Sequence, residues 1–437
     1  MNTNRLQTQV LMLELNEVNF EMVQAYASQG DLPHLASLLV EHGYTETTSE
    51  PVYEHIEPWI QWVTAHTGKT LAEHGVFRLG DMVDSDQEQI WEVLEKNGVR
   101  VAAMSPMNAV NRTESAAFFI PDPWTKTHVT GGLVMRKAHQ AIVQAVSDNA
   151  KGKVTTSSLF WLILFTLGNV RPTSYARLLR MLASVRRKKW RKAMLLDLLL
   201  GDAFVSQTKR QKPNFATLFL NAAAHIQHHY LFSSQVYSGD LRNPEWLVAP
   251  GDDPVLEVYK LYDTIIGKIR KAFPDARLII ATGLHQDPHP TLTYYWRLKD
   301  HEAFLSKIGI PDCAVTPLMS RDFLLEFSTT EATLEAQSVL NDCHADDGTP
   351  LFEVDNRGLS LFVMLTYPHE IKSDFGFQCG TRHFAASSNE FAFVAVKNGM
   401  HNNIGYLIDT DVTAGIDPAP AMPLAALRDM VLEAATT

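Results

Sequence analysis

The chain has 437 residues, 46% of them hydrophobic and 20% charged, a composition expected of a soluble globular protein with room for several domains or one large α/β domain with insertions. Its net charge of -11 excludes general nucleic-acid binding, which needs a basic face to neutralise phosphates. Cys313, Cys343 and Cys379 form no CxxC or metal-finger spacing, so reduced thiols in a cytoplasmic protein are expected.

MNTNRLQTQV at the start has no apolar run of the secretory kind. VLMLEL (10–15) is a β-rich run, and the apolar spacing of the following NEVNFEMVQAYASQG predicts a helix ending at Gly30. LPHLASLLVEHG predicts a second helix closing on Gly43. EPWIQWVTAHTGKTLAEHG (57–75) is either a buried corner or the rim of a site. QEQIWEVLEKNG and RVAAMS then predict a helix and a strand, so strands and helices alternate as in βαβ units with a mostly parallel sheet.

Residues 126–214 interrupt this alternation with several predicted helices. One apolar stretch there, LFWLILFTLG (159–168), is about half the length of a bilayer span. The run RPTSYARLLRMLASVRRKKWRK (171–192) carries nine Lys or Arg and no acid. It is either a solvated helix face or a contact for an anionic surface or substrate. FATLFLNAAAHIQHHYLF (215–232) resumes the pattern as a strand running into a His-rich turn or helix. LEVYKLYDTIIGKIRKAF is an amphipathic helix and ARLIIATGL a buried strand. Residues 294–375 read as a small α+β insertion. The expected domains are therefore a core of 1–125, 215–293 and 376–437, a helical insertion at 126–214, and the α+β insertion at 294–375.

Ligands of such sheets sit at the carboxyl ends of the strands. Glu14, Asn16 and Glu17 close the first strand: Glu14 and Asn16 share a face, and Glu17 can swing to either side. Asn16 could also cap the following helix, and Glu14 inside an apolar strand needs a partner, functional or ionic. His225 and His229 are spaced i, i+4, with His228 at i+3, a spacing that suits a metal or a satisfied polar cluster. His285, Asp287 and His289 follow an apolar strand, and His383 lies in a Gly-flanked loop. The chain has no P-loop, GxGxxG, GxSxG or CxxC.

In order and spacing these segments resemble the alkaline phosphatase superfamily, in particular its type I phosphodiesterase and nucleotide pyrophosphatase branch. VLMLELNEVNF is similar to that branch's first strand, with Asn16 at the position of an aspartate metal ligand. TGKTLAEHGVF keeps the spacing of its TG-x5-HG-[IV] segment, which puts Pro58 at the nucleophile's position. NAAAH falls on its D-x-x-x-H metal pair, giving Asn221 and His225; GLHQ falls on its D-H-G, giving Leu284 and His285; GTRHF falls on its late G-x-H metal histidine, giving His383. ELNE, SPMNA and PDPWTKT also resemble alkaline-phosphatase-like proteins of bacteria associated with surface-polysaccharide loci.

The resemblance implies an α/β three-layer sandwich with a mostly parallel central sheet. It implies a hydrolase or transferase acting on a phosphate or sulfate ester of an anionic small molecule or a glycan- or lipid-linked substrate. One divalent ion (Zn, Mn or Ca) would sit among Glu14, Asn16, Asn221, His225, His229, His285 and His383. With no hydroxyl at Pro58, water would attack directly with Glu57 or His55 as general base, whereas a metal-independent site would use Glu17, Glu57 and the histidines. The alternatives are a degenerate binding or scaffolding module and a metal-independent acid–base enzyme. A cytoplasmic protein, peripheral at an anionic inner membrane face through 171–192, is the expected setting.

Overall fold

The computed structural model describes residues 9–147, 155–318, 320–415 and 420–437; residues 1–8, read above for a leader, lie outside them. The described chain divides into two units. One holds the chain up to 239 together with 244–288 and 399–437, and the other holds 240–243 and 289–398.

In chain order the first unit lays down β1 (Val10–Leu15), β2 (Thr45–Thr48), β3 (Val101–Met104), β4 (Phe118–Ile120), β5 (Phe215–Leu220) and β6 (Arg277–Ala281). The next strands are β7 (His285–Leu298), β8 (Ala314–Pro317), β9 (Asp322–Glu326), β10 (Cys343–Ala345), β11 (Phe352–Asn356), β12 (Ser360–Leu365), β13 (Phe377–Cys379), β14 (Arg382–Phe384) and β15 (Phe391–Asn402). β16 (Ile404–Asp409) and β17 (Met422–Pro423) return to the first unit.

Eight strands form the central sheet, in the order β17-β2-β16-β6-β1-β5-β3-β4. β6, β1, β5, β3 and β4 run parallel to their neighbours, whereas β16 is antiparallel to both β6 and β2. All six residues of β1 are buried, as a strand covered on both faces requires. The alternation of side chains divides each strand between two cores. Leu11, Leu13 and Leu15 join Leu218, Ile280 and the helices Phe20–Ser28, Arg191–Gln211, Ala222–Tyr230 and Pro254–Ala272. Val10 and Met12 join Phe219, Ile279 and the helices Pro58–Thr67, Ile90–Lys96 and Ala426–Thr436. Helix, sheet and helix make the three layers the resemblance implies. Each fully buried Leu or Ile contributes roughly 1.5–3 kcal/mol to these cores.

Two expectations are corrected. Cys343 and Cys379 are not free thiols: they face each other in the antiparallel pairing of β10 with β13 and form a disulfide, a bond that persists in oxidising compartments, while Cys313 is free. The second unit also extends further than 294–375, because β13 pairs with β10 and β14, and Phe377 and Phe391 pack against Phe304. Residues 126–214 belong to the first unit, with described helices Leu133–Ser147, Thr156–Asn169, Pro172–Ser184 and Arg191–Gln211. The last of these puts Leu198, Ala203 and Phe204 into the first core cluster.

Candidate metal centre at the strand ends

Glu14 of β1 and Asn16, the turn residue that follows the strand, meet two residues of the helix Pro58–Thr67. Trp62 and His66, four apart, share one face of that helix. Trp62 Nε1 donates to Asn16 Oδ1 at 2.7 Å, and His66 Nε2 lies 3.2 Å from Glu14 Oε2, both members of that pair being fully buried. The Thr217 hydroxyl donates to the other Glu14 oxygen. Glu14 is thus faced by a buried imidazole and a hydroxyl rather than turned toward the strand end. Gly283, at φ +74°, makes room for Trp62: a Cβ there would stand 3.2 Å from the indole ring.

Glu17 goes the other way. Its φ of 61° lies in the left-handed region, which costs a residue with a side chain on the order of 1 kcal/mol. Two hydrogen bonds hold it there: Glu17 N–H donates to Thr282 O at 3.1 Å, and Gln227 Nε2 donates to Glu17 O at 2.7 Å. The turn delivers the buried carboxylate to the face of the sheet covered by the helix Ala222–Tyr230. There Glu17 Oε2 lies 3.2 Å from His228 Nε2 and 3.3 Å from His401 Nε2, and the two imidazole nitrogens are 3.2 Å apart. Asn16 Nδ2 donates to Glu17 Oε1 at 3.1 Å, and Gln286 Nε2 donates to Oε2 and, at 3.0 Å, to Ala224 O. Burial works against the charge, but His401 and His228 outweigh it and hold the Glu17 carboxyl well below the usual carboxylate range.

Three candidate ligand atoms, one carboxylate oxygen and two imidazole nitrogens, converge within 4.8 Å, close enough to hold a metal ion. Glu57 completes the neighbourhood: at the N-cap of Pro58–Thr67 and part exposed, it brings Oε2 to 3.9 Å from His401 Nδ1.

The other residues singled out from the sequence lie elsewhere in this chemistry. Asn16 and Asn221 hydrogen-bond to each other, Nδ2 to Oδ1 at 2.8 Å, so two amides meet where the resemblance implies two carboxylates. Asn19, not Asn16, caps the helix Phe20–Ser28, accepting from Met22 N–H. His225 is exposed and packs edge-on to His229, ring centres 5.0 Å apart. His285 is buried with Nδ1 2.6 Å from Ile404 O and Nε2 3.2 Å from Asp287. His383 belongs to the second unit, where Nε2 pairs with Asp346 at 2.8 Å. Leu284 is fully buried, Pro58 opens its helix at N1, and the His55 ring packs edge-on to Phe77. His74 is architectural: burial pushes it down to about 4, and it accepts from Val76 N–H.

Sequence reasoning left out His228 as a ligand and missed His401. The signal for His401 was available. Gly399-Met400-His401 has the G-x-H spacing, whereas Gly380 and His383 are spaced G-x-x-H. His228 is selected by the direction from which Glu17 approaches, which no spacing within AAAHIQHHY encodes.

The helix that carries His228 is fixed at its start by Asp197. Asp197 Oδ2 accepts from Ala222 N–H at 2.7 Å and from the Tyr262 hydroxyl at 2.6 Å, and burial pushes this carboxyl up to about 7. The folded state therefore keeps a proton that the unfolded chain releases near pH 4. The stabilisation is present below that pH and is lost as pH rises to about 7, on the order of 4 kcal/mol in all. Asp197→Asn is expected to flatten the pH dependence of urea unfolding across that window. An unchanged slope would reject the assignment.

A mostly parallel sheet, helices on both faces and an acid–histidine cluster at the strand ends define an α/β protein of the hydrolase type. The chain belongs to the type I phosphodiesterase / nucleotide pyrophosphatase family, whose model matches residues 10–285. It is a family of phosphoester hydrolases, typically dependent on divalent metal ions. Among solved structures, the chain is similar to phosphonoacetate hydrolase from Sinorhizobium meliloti 1021 in complex with phosphonoformate, at 11% identity, covering 98% of this chain and 96% of that one, with a TM-score of 0.43. It is also similar to murine ectonucleotide pyrophosphatase / phosphodiesterase 5, at 11% identity, 98% and 95% coverage and a TM-score of 0.41. No curated protein matches the sequence.

Proposed function

We propose that the chain is a phosphoester hydrolase whose centre is built on Glu17, His228 and His401 instead of the family's aspartates. The observation that carries this reading is the convergence of those three side chains, with Glu57 beside them, in a chain of this family. Glu17 Oε2, His228 Nε2 and His401 Nε2 would hold one divalent ion, and their nitrogen-rich set suits zinc. Such an ion, when bound, polarises an ester oxygen and lowers the pKa of a water.

The chain's own residues supply the rest. Gln286 and Asn16 orient the Glu17 carboxylate by donating to it, and Gln227 fixes the backbone beneath it. Pro58 offers no hydroxyl, so water is the nucleophile: its oxygen bonds to phosphorus as the ester P–O bond breaks. Glu57 accepts the water's proton. The finer reading, a glycan- or lipid-linked ester, rests on the resemblance to bacterial relatives alone.

Elemental analysis of protein purified without chelator is expected to find about one zinc per chain. Turnover on a phosphomonoester or phosphodiester should disappear in His228→Ala and His401→Ala. Full turnover after EDTA with no bound metal would overturn this reading in favour of metal-independent acid–base chemistry. The paired amides Asn16 and Asn221 and the proline at 58 favour one rival, a binding module. That rival requires no turnover on phosphate or sulfate esters with Zn, Mn or Ca.

A further inference from the structure

Sixteen large hydrophobic side chains are exposed among the described residues, and six of them fall between 159 and 182. On the helix Thr156–Asn169 they are Leu159 (55% exposed), Phe160 (53%), Ile163 (49%) and Leu167 (65%). Leu159, Ile163 and Leu167 follow each other at i, i+4 and i+8, so they form one continuous stripe on a helix that carries no charged residue. On the next helix, Pro172–Ser184, Leu179 and Leu182 are exposed at i, i+3, and the Tyr175 hydroxyl donates to Thr166 O, tying the two helices together.

Six of the nine cations of 171–192 fall into two groups. Lys188 pairs with Asp252 and Glu257, and Arg191 with Glu257, so these two pin the turn after Ser184 to the body of the first unit. Arg180, Arg186, Arg187 and Lys189 are exposed and form no ion pair among the described residues. An apolar stripe followed by unpaired cations is therefore presented by two consecutive helices of a chain whose net charge is -11.

We infer that the helices Thr156–Asn169 and Pro172–Ser184 dock the protein on an anionic phospholipid surface, with Leu159, Phe160, Ile163 and Leu167 entering the headgroup boundary and Arg180, Arg186, Arg187 and Lys189 lying among lipid phosphates. No described helix is long and apolar enough to cross a membrane, so the contact lies in the interface plane. Charge selects this occupant over a second copy of the chain. A self-association through this face would bring two clusters of like charge together, whereas lipid phosphates answer both the cations and the apolar stripe. The inference does not depend on the metal centre.

Sedimentation with vesicles tests it. Full-length protein is expected to bind phosphatidylcholine vesicles containing phosphatidylglycerol and to remain in solution with phosphatidylcholine alone. At roughly fivefold per surface cation, Arg186→Gln/Arg187→Gln/Lys189→Gln should weaken binding by on the order of 100-fold. Phe160→Ser/Leu167→Ser should weaken it as well while leaving the salt dependence in place. Both variants alter exposed side chains and should keep the parent's thermal midpoint; a lowered midpoint would be controlled by the single variants Phe160→Ser and Arg187→Gln, which must each weaken binding. Parent protein that ignores anionic vesicles, or binds both compositions equally, overturns the inference. So does a parent dimer that Phe160→Ser/Leu167→Ser converts to monomer without any vesicle binding.

Discussion

Glu17→Gln is expected to abolish stoichiometric metal binding and to lower phosphoester turnover by more than 100-fold. Loss of a group that merely orients a metal ligand costs roughly 10–100-fold, and Glu17 is proposed as the ligand itself. It is also the only carboxylate in the Glu17–His228–His401 cluster, so its replacement leaves the two imidazoles, 3.2 Å apart, without the carboxylate oxygen that completes the ligand set. Gln286→Ala, which removes a donor to Glu17, should fall in the lower range. Elemental analysis and steady-state kinetics on the same preparations check both. A Glu17→Gln protein with full metal content and parental turnover would refute the centre.

His66→Ala is expected to destabilise the protein by about 3–5 kcal/mol, because it strands the fully buried Glu14 carboxylate without the imidazole that faces it. It also removes a ring packed between Trp62 and Trp91, at centroid distances of 5.9 and 4.9 Å. Glu14→Leu combined with His66→Leu should recover most of the loss, since replacing a buried pair by apolar residues is often neutral. Urea denaturation gives the comparison. Metal content serves as the second readout: it should be unchanged in the double variant, and its loss would return Glu14 to the ligand set.

The sheet was legible because its signal is local. VLMLEL, FATLFL and RLIIA are short runs rich in apolar residues, and their burial, complete but for Arg277, follows from a sheet covered on both faces. That Glu14 and Asn16 lie together was legible as well, and both meet the helix Pro58–Thr67. The site was only partly legible, because it depends on directions set by tertiary structure. Glu17 reaches His228 through a left-handed turn at a residue that is not glycine, which sequence periodicity does not encode. His401 arrives from beyond the second unit, more than a hundred residues after the other parts of the cluster. The Cys343–Cys379 disulfide escaped because its pairing is a matter of strand register, not of sequence spacing.

The hydrogen bond between Asn16 and Asn221 couples the two positions. Asn16 spends its carbonyl on Trp62 and its amide on both Asn221 and Glu17. Changing Asn16 alone to the family's aspartate would set an acceptor 3.1 Å from Glu17 Oε1 and remove the donor that Asn221 accepts. Glu17 and the part-buried Asn221 would each lose a hydrogen bond, at about 1–3 kcal/mol apiece. An aspartate at position 16 is therefore expected to be tolerated only when position 221 changes with it, so the two amides stand or fall as a pair.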